Sequence, residues 1–239
     1  MKKLIVSGDS CTTLNFNSVS HPTWDFSWPK WPEHVAKHFD MKLVCLAQGG
    51  QGNEFIYSTL QDEILKTPKD EIGLVIAAWT QSHREDIQNG YNGWWTARRI
   101  HKSMDLLNCV RKSMRQFMSF QILCERFNLP YYHFIMCPLY ESMLKEDMFI
   151  RLNQSEFQKK IDNIKETIGE YKDKVKNFLT YADQNEFTRF NMLDTVTIGK
   201  EGLLSDRIVS SLDDHPNEKG HKIIADEVLQ RIKYEKINS

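Results

Sequence analysis

The chain has 239 residues, enough for one domain of ordinary size or one domain with a large insertion. Its 31 basic and 32 acidic residues nearly cancel, which excludes the strong positive field typical of proteins that bind nucleic acid or anionic membranes. Hydrophobic residues make up 41% of the chain and can form a large core. The sequence contains no run of about 18 apolar residues, so no helix that spans a membrane is predicted.

The amino-terminal lysines are followed by an apolar stretch that is too short for a signal peptide, which needs about 7–15 apolar residues. The five cysteines are odd in number, widely spaced and without a CxxC pair, so neither a disulfide framework nor a zinc site is expected. We therefore expect a cytoplasmic protein that carries no metal or other cofactor.

Short apolar runs alternate with helical patterns, which is typical of βαβ units and a parallel sheet. The predicted strands are Lys3–Ser7, 42–47, Ile72–Trp79 and 131–136, and the predicted helices are 33–39, 54–66 with Asn53 as its cap, and 97–128. The sequence thus predicts a single α/β domain, 1–239, with a helical insertion at about 140–200.

Residues 155–181 carry a stricter pattern, in which apolar residues from Phe157 to Phe178 recur at alternating spacings of four and three. A seam of this period is typical of a helix that packs along one face. Two interpretations stay open: the helix packs on its own domain, or it protrudes and pairs with a lid or a second copy of the chain. The second would give a homo-oligomer through the 157–178 helix.

The first segment with candidate chemistry is Gly8-Asp9-Ser10, directly after the first predicted strand. A serine at the carboxyl end of a parallel strand stands where such sheets bind ligands, and a following helix would offer N–H groups to an oxyanion. The tripeptide alone is also an ordinary turn. Cys11, beside Ser10, is a less favoured nucleophile.

The second segment lies near the carboxyl end and contains Asp213, Asp214, His215, Pro216 and Asn217. A carboxylate close to His215 could orient its imidazole as a general base. Successive side chains of an extended backbone point to opposite sides, which favours Asp213 over Asp214 without excluding the latter. The alternative is a simple helix start, with Asn217 as the cap and His215 exposed.

The third segment is the glycine-rich block 48–53 after the second strand, where backbone N–H groups could approach a ligand oxygen. A phosphate cradle would need a different glycine spacing, and a tight turn is the plain alternative.

In order and spacing, these segments resemble the SGNH/GDSL hydrolases from end to end, although residues 85–200 carry no family motif. The resemblance implies a flavodoxin-like three-layer α/β/α sandwich with a parallel sheet in the order 2-1-3-4-5. It implies Ser10 as nucleophile, His215 as base and Asp213 as acid, with the backbone N–H groups of Ser10 and Gly49 as oxyanion donors.

The third family block departs from the pattern. Gln81 stands where the family has an asparagine that donates to the oxyanion, within a Trp-Thr-x-x-x-Arg run that begins at Trp79. Asn53 is another candidate amide donor. Loss of one donor typically slows such a reaction by about two to three orders of magnitude, so a weakened enzyme is conceivable.

The expected function is hydrolysis of a carboxylic ester, from a small molecule or a glycan, through an acyl-enzyme. Aromatic residues able to stack on sugar rings favour O-acyl groups on carbohydrate; they are Trp24, Trp28, Trp31, Trp94 and Trp95. The alternatives are acyl transfer on the same site and a catalytically silent binding or assembly module.

Overall fold

The computed structural model describes residues 1–89, 93–97, 105–140, 154–179 and 206–238, with side chains described for 1–87, 105–140, 155–179 and 206–233. The elements in chain order are β1 (Lys3–Ser7), α1 (Trp31–His38), β2 (Lys42–Cys45), α2 (Asn53–Lys66), a short 3-10 helix (Lys69–Glu71), β3 (Ile72–Trp79), β4 (Glu85–Asn89), β5 (Gly93–Ala97), α3 (Leu106–Phe127), β6 (Tyr131–Ile135), α4 (Gln154–Lys172), β7 (Ile208–Ser210), β8 (Asp213–Pro216) and α5 (Glu218–Asn238).

Four parallel strands form the central sheet in the order β2-β1-β3-β6. The predicted parallel sheet is confirmed, and its first four positions follow the predicted order 2-1-3-4. In the described part of the chain, the fifth position is a single parallel bridge between His133 and Phe178. There the Leu179 amide donates to the His133 carbonyl at 2.8 Å.

The two faces of the sheet bury different residues of the same strands. Along β3, Val75, Ala77 and Trp79 pack with α2, α3 and α4, whereas the alternate residues Leu74 and Ile76 pack with α1 and α5. A strand buried on both faces reads as a continuous apolar run, which is why β3 has the predicted bounds. The result is the predicted three-layer α/β/α sandwich.

The amino terminus of helix α2 is capped by a side chain from another element, and the predicted cap at Asn53 is wrong. Gly52 occupies the cap position, and Asn53 is the first helical residue. The carboxylate of Asp86, on β4, accepts from the Gly52 amide at 2.6 Å and from the Phe55 amide at 2.8 Å. Asp86 thus satisfies donors that a cap side chain usually serves, and its charge suits the helix amino terminus.

The predicted helix 97–128 begins later than expected. Residues 93–97 instead form β5, which pairs antiparallel with β4, because aromatic and β-branched residues there favour a strand. Helix α3 begins at Leu106 behind Asp105, whose side chain accepts from the Leu107 amide at 3.0 Å. It ends where Asn128 takes a left-handed conformation, with φ of 51°.

Helix α4 carries the seam predicted for 155–181, but ends at Lys172. Ile164 and Ile168 are buried in the core beside α3, so the chain itself covers this part of the seam. The rest of the predicted insertion at 140–200 lies mainly outside the described residues. Among the helices of the described ranges, none combines the length and hydrophobicity needed to cross a membrane.

Candidate active site

The candidate site lies at the carboxyl ends of the central strands. Ser10 follows β1, Gly49 follows β2 and Gln81 follows β3, while β8 brings Asp213 and His215 to the same edge. All five residues line one cleft of about 590 Å³. This is the edge at which open parallel sheets bind ligands.

Three side chains form a continuous hydrogen-bonded relay. His215 Nε2 lies 2.8 Å from Ser10 Oγ, and His215 Nδ1 lies 2.6 Å from Asp213 Oδ1. Asp213 Oδ1 also accepts from the His215 amide at 3.1 Å, so the Asp213 carboxylate folds back across the turn toward His215. Asp214 is exposed. In such an arrangement a serine can act as nucleophile, with the histidine as its base and the aspartate as the acid that orients the histidine.

The second oxygen of Asp213 is held by Ser18, whose hydroxyl donates to Oδ2. Ser18 in turn accepts from the His21 amide at 3.1 Å, and the Phe16 ring packs 4.7 Å from the His215 ring. Burial acts to raise the pKa of Asp213, but the hydrogen bonds from Ser18 and His215 outweigh it and lower the pKa. Asp213 is therefore ionised at neutral pH.

The turn at Ser10 differs from the prediction, since no helix begins there. One turn closes through the Thr12 and Thr13 amides, which donate to the Asp9 carbonyl at 3.0 and 3.1 Å, and α1 starts only at Trp31. A Cβ at Gly8 would lie 2.4 Å from Thr12 Oγ1, so this turn requires glycine there.

The side chain of Asp9 is fully buried and holds the turn that contains Ser10. Its Oδ2 accepts from Thr80 Oγ1 at 2.6 Å, Cys137 Sγ at 3.2 Å and the Arg84 guanidinium at 3.3 Å. Its Oδ1 accepts from the Cys11 amide at 3.0 Å. This network, which sequence reasoning missed, ties the Ser10 turn to the ends of β3 and β6.

Asp9, Cys11 and Cys137 form a buried group whose potential metal ligand atoms lie within 4.8 Å of one another. Arg84 already pairs with the Asp9 carboxylate. A hydrogen bond with Cys137 and burial raise the pKa of the Cys11 thiol. A neutral thiol is a poor metal ligand and a poor nucleophile, so these residues suit a structural role.

The candidate oxyanion donors are placed differently from one another. A Cβ at Gly49 would lie 3.7 Å from Ser10 Cβ, so the glycine block passes directly beside Ser10. Gln81 lines the cleft, and its Oε1 accepts from Arg84 Nε at 3.0 Å. Arg84 is only a donor, so it fixes which way the Gln81 amide turns.

Asn53 does not line the cleft. Its Oδ1 accepts from the Thr80 amide at 2.8 Å, and its Nδ2 donates to the Thr80 carbonyl and to Ser113 Oγ, both at 3.0 Å. Both ends of the amide are therefore used inside the core. The structure gives Asn53 a different role from the expected oxyanion donor, which is to tie α2 to the end of β3.

Two residues beside the relay stabilise the carboxyl-terminal segment. Asn217 Oδ1 accepts from the Gly220 amide at 3.0 Å, which confirms Asn217 as the cap of α5. His221 is buried, and its Nδ1 accepts from the Trp31 amide at 3.4 Å. Burial lowers the pKa of His221 to about 3, so its neutral ring serves to join α5 to α1.

The tryptophans divide between core and surface. Trp31 is fully buried, whereas Trp24 is 51% exposed and stacks on His21 at 3.9 Å. Trp28 is half-buried under the Lys30 ammonium, 4.9 Å from the ring centre. The side chains of Trp94 and Trp95 lie outside the described part. Of Trp24, Trp28 and Trp31, Trp24 is thus the one that a ligand could reach readily.

No protein-family model and no curated protein matches the sequence. Among solved structures, the chain is similar to the psychrotrophic esterase EstA from Pseudoalteromonas sp., with 12% identity, coverage of 100% of both chains and a TM-score of 0.54. It is also similar to a protein from Desulfitobacterium hafniense DCB-2 described as lipolytic and of the G-D-S-L family, with 12% identity, coverage of 97% and 99%, and a TM-score of 0.53. These likenesses show that the fold is that of SGNH/GDSL hydrolases, as predicted.

Proposed function

We propose that the chain is a serine esterase, which hydrolyses a carboxylic ester through an acyl-enzyme on Ser10. The observation that carries the proposal is the relay from Ser10 through His215 to Asp213, with contacts of 2.8 and 2.6 Å between residues that line one cleft. A buried acid, a base and a nucleophile in this order have the geometry of an activated serine.

The residues divide the reaction between them. Ser10 Oγ attacks the ester carbonyl while His215 Nε2 takes its proton, and the ionised Asp213 stabilises the resulting imidazolium. The tetrahedral oxyanion is met by the backbone N–H groups of Ser10 and Gly49 and by the amide of Gln81. The alcohol leaves with the proton from His215, and water then hydrolyses the acyl-enzyme by the same route.

The cleft supports a short acyl group on a polar alcohol, such as an O-acyl group on a carbohydrate. Beside the relay it is lined by the uncharged polar side chains of Thr13, Asn15, Asn17 and Ser20. These groups can exchange hydrogen bonds with hydroxyls. The apolar side chains Phe16 and Val19 are too few to enclose a long acyl chain.

The test is hydrolysis of p-nitrophenyl acetate by the wild-type chain and by the Ser10→Ala variant. We expect turnover only with the wild type, and one equivalent of an alkyl fluorophosphonate bound at Ser10, because the Pseudoalteromonas esterase has a structure inhibited by monoethylphosphonate. Ser27→Ala is the matched control, since Ser27 is exposed and bonds to Asp25 outside the cleft. Turnover that persists in Ser10→Ala would overturn the proposal.

The substrate class is tested separately, with an acetylated oligosaccharide and a long-chain p-nitrophenyl ester. We expect release of acetate from the first and little turnover of the second. Faster turnover of the long-chain ester would contradict a carbohydrate substrate and leave the esterase reaction itself intact.

A further inference from the structure

His83 lies in the loop after β3 and lines the same cleft as Ser10 and Gly49. Neither the relay nor the proposed oxyanion donors use it. It is half-buried, and Gln81 and Arg84, two positions before and one position after it, line the same cleft. An imidazole that lines the same cleft as the proposed nucleophile, and that has no role in the relay, can bind a substrate.

The two ring nitrogens of His83 differ in their surroundings. Nδ1 is buried without a hydrogen-bond partner. A buried acceptor without a partner is tolerated better than a buried N–H without one, which places the proton of the neutral ring on Nε2. Within the described part of the chain, Nε2 is not among the buried atoms that lack a partner, and His83 lines the cleft. With the proton on Nε2, the N–H that the His83 ring can offer to a ligand in this cleft is that of Nε2.

The charge state of His83 follows from its neighbours. Burial and the adjacent Arg84 guanidinium lower its pKa to about 4. Arg84 is itself paired with Asp9 at 3.3 Å, so its position is fixed. At neutral pH the His83 ring is thus uncharged, and a neutral imidazole can still donate to a carbonyl or hydroxyl oxygen.

We propose that His83 is a further substrate-binding residue, whose Nε2–H donates a hydrogen bond to an oxygen of the ester bound beside Ser10. The inference rests on the proposed function, because the ester is the substrate proposed for this cleft. It adds a side-chain donor close to Gln81, in the loop where the sequence departs from the family pattern.

The test compares His83→Gln with His83→Met. The glutamine amide nitrogen can reach the position of Nε2, whereas methionine fills a similar volume without a donor. We expect kcat/KM for p-nitrophenyl acetate to fall by about tenfold, the weight of one hydrogen bond, in His83→Met, and to recover largely in His83→Gln. The loss should appear as a rise in KM, with a fall in kcat in addition if the acceptor is the carbonyl oxygen, on which charge grows in the transition state.

His34→Met is the matched control. Its Nε2 is also buried without a partner, but it lies on α1 and does not line the cleft, so kcat/KM should stay unchanged. Equal activity of the wild type and His83→Met would overturn the inference. Equal losses in the Met and Gln variants would also overturn it, because packing rather than donation would then explain the effect.

A second arm separates this inference from the esterase reaction. In Ser10→Ala protein, binding of p-nitrophenyl acetate should shift the imidazole ¹H–¹⁵N signal of His83, and the added His83→Met change should weaken binding about tenfold. If the wild type shows no turnover but this binding is seen, the esterase proposal fails and His83 still binds the ester. If binding to Ser10→Ala does not depend on His83, the inference fails whatever the turnover.

Discussion

Asp213→Asn removes one negative charge from the relay while keeping the shape of the side chain. Oδ1 of Asp213 accepts from both the Nδ1 and the amide of His215, so the new amide must turn its oxygen toward these donors. Its nitrogen then faces Ser18, whose hydroxyl can accept as well as donate. The imidazole of His215 therefore keeps its orientation, and the loss is that of the attraction between carboxylate and imidazolium.

The size of the expected fall in kcat follows from that attraction. Two unit charges about 4 Å apart attract by about 4 kcal/mol at an effective dielectric constant of about 20. Since about 1.4 kcal/mol corresponds to a factor of ten in rate, kcat should fall by about three orders of magnitude. The KM should change little, because the charge on His215 develops only in the transition state.

The assay is steady-state hydrolysis of p-nitrophenyl acetate, with Asp214→Asn as the matched control. Asp214 is exposed and adjacent, so the same change of charge there should alter kcat by less than about threefold, in line with the weak effect of exposed charges. A larger fall in Asp214→Asn than in Asp213→Asn would show that the acid is assigned to the wrong residue. A fall of less than about tenfold in Asp213→Asn, or about 1.4 kcal/mol, would refute the electrostatic argument.

Three further predictions concern stability. Arg84→Met should lower the free energy of unfolding in urea by about 3–5 kcal/mol, because it leaves the Asp9 carboxylate buried without its cation; an unchanged midpoint would count against this ion pair. Acid should destabilise the fold progressively from about pH 6.5 to about pH 3, because burial lowers the pKa of His133 and His221 to about 3 and the unfolded chain binds protons first. His133→Gln should make the loss of stability with falling pH less steep, and an identical slope would exclude this cause. Asn217→Ala should cost about 1 kcal/mol by removing the side-chain cap of α5, and a thermal midpoint equal to that of the wild type would disprove the capping role.

Features that depend on neighbouring residues could be predicted from the sequence. The continuous apolar run of β3 reflects its burial between two helical layers, and Asn217 caps α5 through an amide three positions away. Ser10 and His215 could be placed because each stands in a short segment with a recognisable order. The proposed chemistry of the relay could therefore be predicted from the sequence without its geometry.

Features that depend on residues distant in the sequence could not be predicted. The Asp9 carboxylate meets Arg84 across 75 positions, and Ser18 reaches Asp213 across 195. The sequence predicted Asn53 as a helix cap because its actual partners, 27 and 60 positions away in the chain, are set by the packing of α2 against β3 and α3. Such contacts depend on which loops the sheet brings together, and no local pattern records that.

The relay joins parts of the chain that are made at different times. Ser10 and His215 are 205 positions apart, so at roughly 5–20 residues per second a ribosome completes the serine about 10–40 s before the histidine. Until β8 docks, the Ser10 hydroxyl has no imidazole beside it, so the nascent protein should lack the reactivity proposed for Ser10. Under the proposed function, reactivity toward a fluorophosphonate should therefore appear during refolding together with the docking of the carboxyl-terminal segment.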